Sequence, residues 1–449
     1  MCKYSTEECT SINTYQAGFY KTDITPDPGG VPYLAKLPRH SPFMGVHDRL
    51  FVSACAISDG ADKLLLISID GIGLASDLLD DGHNFVERIR DRLFSETGIH
   101  KDFIVIHSTH IHSSPDTLNF EPFIESAGAE DWLRRLVDKI CECSAAALRS
   151  MSGCTLKIGS SNVEGLAHNR RGEPYENRRM TVFLFEPRNA SRGRKIVFIH
   201  FTCHPTIVQD QPLVSADFIG SLRASVCEAF PATDCLFLQG ACGDIGPIVN
   251  STRNMDDAVI MGTALSKYAI ECINRMSVSN YPVCRVKIGA VSKKVFLPSR
   301  ELLSEDEVIQ LSEEILLLAE KIKKTREESG STYDLERELI RLNSIKRRIS
   351  EGGLPFEAAL QWISLGDVCM AAVPGEPFCK MGMDLSDRLK PIDVLVLGYT
   401  NEYLGYIAPP CSWALGGYEC GPVGPWSKLS EDAYGQIVEE LTVLAAKMV

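Results

Sequence analysis

The chain has 449 residues, 45% hydrophobic and 23% charged, with a formal net charge of -13. Its length can bury a large core, and the negative balance excludes a general nucleic-acid binder, which needs a basic stripe. No run reaches the ~20 apolar residues of a membrane span, and the opening MCKYSTEECTSINTYQAGFY lacks a signal peptide's apolar core, so a cytoplasmic protein is expected.

Lys63–Asp70 (KLLLISID) has the length and apolarity of a buried strand. Asn84–Thr97 then places Phe85, Ile89 and Leu93 at helical spacing, with Gly98 as the C-cap. Phe103–His107 is the next strand. Glu130–Arg149 predicts a helix with Trp132, Leu136, Ile140 and Cys143 on one face. Further strands are expected over 180–187, 194–203, 234–241, 366–374 and 392–399. Continuous apolar strands alternating with amphipathic helices predict an α/β protein. The expected core is a mixed, mostly parallel sheet with helices on both faces, in one domain over 1–449.

Ser304–Gly352 breaks the pattern. Leu311, Ile315, Leu318 and Ile322 recur at helical spacing, the segment EESGST follows, and Leu335, Leu339, Leu342 and Ile345 resume the spacing. This predicts an inserted helical hairpin, serving as a lid, a homo-oligomer contact or a solvated accessory. The sixteen cysteines include no C-x-x-C pair, and without an export signal they read as reduced, buried thiols.

In open α/β sheets, ligand chemistry gathers beyond the carboxyl ends of strands. Beyond Phe103–Ile106 stand His110 and His112 in STHIHSSPD, two residues apart and so able to face one site. Beyond 195–201 stands His204, and beyond 368–373 stands Glu376 in PGEP. The last strand leads into GYTNEYLGY, crowded with phenols, and Asp244 sits in the glycine-rich turn GACGDIGP. Two or three histidines plus one carboxylate form the ligand set of a catalytic zinc site with one position open for water. Asp217 and Asp244 are candidates for the general base or for turn-capping positions. Asp80 and Asp81 read as a solvated helix start.

The segments AGFYKTDITP (17–26), GVHDRLFVSACAISDG (45–60), STHIHSSPD, FTCHPTIV with VSADFIGSL (201–222), GACGDIGP, PGEPF and YLGYIAPPCSWALGGYE (403–419) occur in this order. Together they resemble the catalytic domain of the neutral/alkaline non-lysosomal ceramidases. The resemblance implies a zinc-dependent amide hydrolase on an α/β fold, with Zn2+ held by His110, His204, Glu376 and a tyrosine. Tyr406, twelve residues before the Tyr418–Glu419 pair, matches that tyrosine, with Tyr403 as the alternative. His112, Tyr418 and Arg170 in AHNRRGEP match positions that hold the substrate carbonyl and its developing charge.

The departures are equally informative. Where the ceramide-cleaving members carry serine and asparagine in the G-D-x-S-P-N turn, this chain has Gly246 and Ile248. The family's C-terminal β-sandwich is not expected here either. The expected reaction is therefore hydrolysis of a small N-acyl amide other than ceramide. The alternatives are an ester or lactone cleaved at the same zinc site, or a metal-binding scaffold without turnover.

Overall fold

The computed structural model describes residues 15–448 apart from 28–42, 80–81, 119–127, 190–192, 249–251, 279, 301–303, 329–331, 333–334, 337, 340–341, 344, 347–354 and 422–425. Asp80 and Asp81 lie outside the described residues.

An eight-stranded sheet runs in the order Thr233–Gln239, Lys195–Phe201, Arg179–Pro187, Ser152–Asn162, Tyr15–Asp23, Phe51–Ser58, Lys63–Ile69, Ile104–Ser108. Only its two outermost pairs are parallel, and the five inner pairs are antiparallel. A four-stranded sheet follows in the order Ile288–Leu297, Phe356–Leu365, Val368–Ala372, Asp393–Leu397, parallel only in its last pair.

The helices Phe85–Thr97, Ala129–Arg149, Asp217–Ala229 and Met255–Met276 cover one face of the large sheet. Its other face packs on the small sheet, where Leu66, Val105, Phe183, Phe198 and Leu236 meet Ile363, Met370 and Leu395. The outer face of the small sheet is covered by Cys379–Arg388 and Asp432–Ala446. Each such apolar side chain, fully buried, contributes ~1.5–3 kcal/mol.

The mixed α/β class thus stands, with two differences in detail. The strands are mostly antiparallel, and the layers run helix, sheet, sheet, helix. The reason is physical: an apolar strand reports that both its faces are covered, but not whether a helix or a second sheet covers them.

Local signals account for the helices. Asn84 caps Phe85–Thr97 by accepting from the N–H groups of Val86 and Glu87, and Gly98 ends the helix at φ 71°. Trp132, Leu136, Ile140 and Cys143 are all buried along Ala129–Arg149. Within the segment 304–352, expected to be a helical hairpin, the helix Glu305–Glu327 forms, with Ser304 and Glu307 making a capping box. Helical residues recur at 335–336, 338–339, 342–343 and 345–346, and Leu342 and Ile345 pack with Leu311, Ile315 and Leu318.

Fourteen described cysteines are free thiols, eleven of them buried and only Cys411 exposed, so thiols serve the core here. No helix among the described residues is long and apolar enough to cross a membrane.

The large sheet curls until its two edge strands meet. Gln239 N–H at one edge donates to Nε2 of His107 at the other over 2.9 Å, and Ser68 Oγ donates to the Phe237 carbonyl over 2.8 Å. The small sheet joins at the same end. Ser108 N–H donates to the Tyr399 carbonyl at 3.0 Å, and Asn401 N–H to the Ile106 carbonyl at 2.7 Å. Strand ends far apart in the sheet order therefore share one region.

Candidate metal centre

His110 follows the edge strand Ile104–Ser108, and its N–H donates to the Gly71 carbonyl at 2.8 Å, beyond the neighbouring strand. Its φ is 64°, the left-handed region that a side chain other than glycine's rarely adopts. His204 follows Lys195–Phe201 and donates its N–H to the Ile245 carbonyl at 2.9 Å. Glu376 follows Val368–Ala372 and pairs with Tyr406 in a short parallel ladder. Two glycines make this crowding possible. A Cβ at Gly243 would lie 2.6 Å from the Glu376 carbonyl oxygen, and Gly375 has φ 153° with the Gly405 oxygen 2.6 Å from where its Cβ would be.

The donor atoms converge. Nε2 of His110 lies 3.1 Å from Nε2 of His204, and Oε2 of Glu376 lies 3.3 and 3.1 Å from those two nitrogens. Nε2 of His112 is 3.3 Å from that of His110. The ligand atoms of His110, His112 and His204 all lie within 4.8 Å of one another.

The tautomers are fixed from outside. His110 Nδ1 faces the Ile72 carbonyl at 2.6 Å, and His204 Nδ1 faces the Cys242 carbonyl at 2.5 Å. A carbonyl only accepts, so each Nδ1 carries a proton, and it is Nε2 that presents the lone pair of the neutral ring. Burial pushes His204 down to about 4 and His112 well below the usual range, so both rings are neutral near pH 7.

Two imidazole lone pairs and a carboxylate oxygen at such separations repel one another unless a cation lies between them. Ligands ~2.0–2.1 Å from a tetrahedral metal stand ~3.3 Å apart, matching the 3.1–3.3 Å observed among His110, His204 and Glu376. The residues present therefore fit a divalent metal.

Around this cluster, the Tyr406 hydroxyl accepts from Arg170 Nη2 at 2.9 Å. Burial raises its phenol pKa well above the ordinary value, against the pull of Arg170. Tyr403 instead donates to Glu376 Oε1 at 2.5 Å. Arg170 also donates to the Gly243 carbonyl at 2.8 Å and pairs with Glu419 at 2.9 Å.

Tyr418 is 46% exposed. Its ring stacks on Trp426 at 4.9 Å and meets the edge of Tyr406 at 6.0 Å. With Arg170, Arg171, Leu415 and Glu419 it lines a cavity of about 460 Å³. The structure thus gathers His110, His112, His204 and Glu376 at the centre, and Tyr406, Arg170 and Tyr418 in a chain leading outward.

The two aspartates spend their oxygens on other groups. Asp217 accepts from the N–H groups of Val208 and Phe218 at 3.0 and 2.6 Å. Asp244 accepts from Cys379 N–H and from Asn169 Nδ2, both at 2.7 Å. Burial raises both to about 6.

Sequence reasoning missed three contributors. Gln239, fully buried, donates from Nε2 to the carbonyls of Thr109 and Cys203 at 3.3 and 2.9 Å, and so ties together the segments that precede the two central histidines. Arg171 donates to Glu173, Glu419 and the carbonyls of Ser412 and Gly416, building the rim of the cavity. Tyr399 stacks on His110 with ring centroids 3.8 Å apart. A polar residue closing the apolar run CLFLQ was the available signal for Gln239; the other two carried none.

No family model matches the sequence, and no curated protein matches it. Among solved structures, the neutral ceramidase from Pseudomonas aeruginosa is 17% identical with a TM-score of 0.70, covering 97% of this chain and 75% of that one. A ceramidase complexed with C2 is 15% identical with a TM-score of 0.71 and the same coverage, 97% and 75%. The chain therefore has the fold of the neutral ceramidases.

Proposed function

We propose that the chain is a zinc-dependent hydrolase of the C–N bond of a small N-acyl amide other than ceramide, working in the cytoplasm. It would act as one catalytic domain, with the 304–352 hairpin as an accessory. The observation that carries this reading is the acceptor cluster of His110, His204 and Glu376, with donor atoms 3.1–3.3 Å apart, on the fold of the neutral ceramidases.

His110, His204, Glu376 and Tyr406 would hold the metal. Borderline-soft imidazoles with hard oxygens suit Zn2+. Bound there, zinc supplies a Lewis acid for the scissile carbonyl and lowers the pKa of water to ~7.

The remaining residues bind and orient. Arg170, fixed by Glu419 and the Gly243 carbonyl, presents a planar donor fork beside Tyr406. His112, neutral and partly exposed next to His110, can donate to the oxygen on which charge develops. Tyr418, at the cavity wall, would be a second donor to that oxygen. Gly246 lies beside Arg170 without a hydroxyl, and Ile248 is 48% exposed, which makes this turn a poor partner for a polyol amine.

The test is hydrolysis of a panel of N-acyl amides by the zinc-loaded chain, each run beside its matched ester. Amide turnover that zinc restores after chelation supports the reading. Turnover of esters alone replaces it with an esterase, and zinc uptake without turnover of either class leaves a metal-binding scaffold.

A further inference from the structure

Resting on the reading of the His110–His204–Glu376 cluster as a metal centre, we propose that Tyr399 is a positioning residue that sets the cluster's affinity for the cation, acting through Cys242. The argument begins with the backbone. Tyr399 has φ 54°, a left-handed conformation that costs an aromatic residue energy and persists only where its surroundings enforce it. They do so from both sides. Tyr399 N–H donates to the Gly375 carbonyl at 2.8 Å, just before Glu376, and its carbonyl accepts from Ser108 N–H at 3.0 Å, two residues before His110.

The ring and hydroxyl repeat the pattern. The ring lies 3.8 Å from that of His110 with an interplanar angle of 19°, holding one imidazole face-on. The hydroxyl reaches Glu376 Oε2 at 3.3 Å, and this is the carboxylate oxygen that faces both imidazoles. An ionised carboxylate only accepts, so the phenol donates to it. The phenol oxygen must then accept from its other neighbour, Cys242 Sγ at 3.0 Å, which makes the thiol the donor. The carbonyl of Cys242 in turn fixes His204 Nδ1 at 2.5 Å. One tyrosine, with the cysteine behind it, thus touches or restrains all three converging side chains. Packing alone would ask for a ring, and a phenylalanine would meet it; the hydroxyl is needed only to orient Glu376.

The experiment uses the full chain, stripped of metal, with Zn2+ affinity read by competition against a chromophoric chelator. The d–d absorption of bound Co2+ reports ligand geometry. Y399F keeps the stacked ring and loses only the donor, so its Zn2+ affinity should fall ~10–100-fold, with an altered Co2+ spectrum and an unchanged circular dichroism spectrum. C242A should shift affinity in the same direction by less, and C242S, which restores a donor, should recover it.

Affinity within twofold of wild type and an unchanged Co2+ spectrum in Y399F overturn the inference. If Y399F does not fold, equal affinities for C242A and C242S overturn it instead. A wild-type chain that takes up neither Zn2+ nor Co2+ removes this inference together with the metal reading. A wild type that binds, beside a Y399F that binds equally well, removes this inference alone.

Discussion

Two strands of the large sheet each carry one histidine within the strand and another just beyond its end, so the molecule contains its own controls. Inside the sheet, His107 uses both nitrogens on ordinary partners, Thr400 Oγ1 at 3.0 Å and Gln239 N–H at 2.9 Å. His200 donates Nε2 to the Val396 carbonyl at 2.9 Å. Both link layers of the fold. Beyond the strand ends, His110 and His204 likewise spend Nδ1 on a carbonyl, but each Nε2 points at other acceptors. Burial therefore does not separate the two classes, since all four rings are buried. What separates them is the second nitrogen: that of His107 meets a donor and that of His200 has no hydrogen-bond partner, whereas those of His110 and His204 face other acceptors.

Removing one of the outer pair should have the largest effect on this contrast. His110→Ala should lower bound zinc from about one per chain to near zero by elemental analysis, and abolish zinc-dependent turnover. His107→Gln should keep its zinc. Equal metal content in the two variants would end the distinction between them.

Glu376→Gln comes next. A neutral amide is a poorer ligand, so zinc affinity and turnover should collapse while circular dichroism still reports the native fold. Unchanged turnover would make Glu376 only part of the turn. His112→Ala sharpens the comparison at its boundary, because His112 belongs geometrically to the three-histidine group. As an oxyanion donor its removal should cost ~2.7–4 kcal/mol in kcat with zinc retained. Loss of zinc would instead make His112 a ligand.

Much of this site was legible in the sequence because the strand-end rule needs only a strand and the residue after it. His110, His204 and Glu376 were readable in that way, and the structure brings them together. The sheet's curl was not readable, because it depends on edge strands 129 positions apart meeting through Gln239 and His107 (233 − 104 = 129). The antiparallel sense of the inner strands was also hidden. In Phe51–Ser58, Lys63–Ile69, Arg179–Pro187 and Lys195–Phe201 both faces are buried, which erases the alternation that marks a half-exposed antiparallel strand. Tyr399 sat in plain view among phenols, yet only its backbone angle and its contacts separate it from Tyr403 and Tyr406.

The inner pair makes a smaller prediction, set by pH. Burial holds His107 at about 3 and His200 at about 4, against ~6.5 in an unfolded chain. With the folded pKa depressed, each neutral ring's contribution is complete above pH 6.5 and is lost as pH falls from there, toward about 3 for His107 and about 4 for His200, because the unfolded state takes up the proton first. Between pH 7 and pH 5, His200→Gln should therefore lose ~2 kcal/mol less stability than wild type, read from urea unfolding at both pH values. Equal losses would mean that the His200 ring takes up its proton at the same pH in the folded chain as in the unfolded one.

The smallest expected change in stability is also the one most informative about substrate. A Cβ at Gly246 would meet Arg170 only at 3.7 and 3.8 Å and His168 at 3.9 Å, ordinary contact distances with no strained φ. Gly246→Ser should therefore fold with stability within ~0.5 kcal/mol of wild type. Its hydroxyl would stand beside the Arg170 fork, adding a hydrogen-bonding group where the wild-type turn has none. On matched N-acyl amides with and without a hydroxyl near the scissile bond, the variant should shift kcat/KM toward the hydroxylated member, by ~1–3 kcal/mol at most. An unshifted ratio would place the amine away from this turn and move the selectivity to the Leu415–Tyr418 side of the cavity.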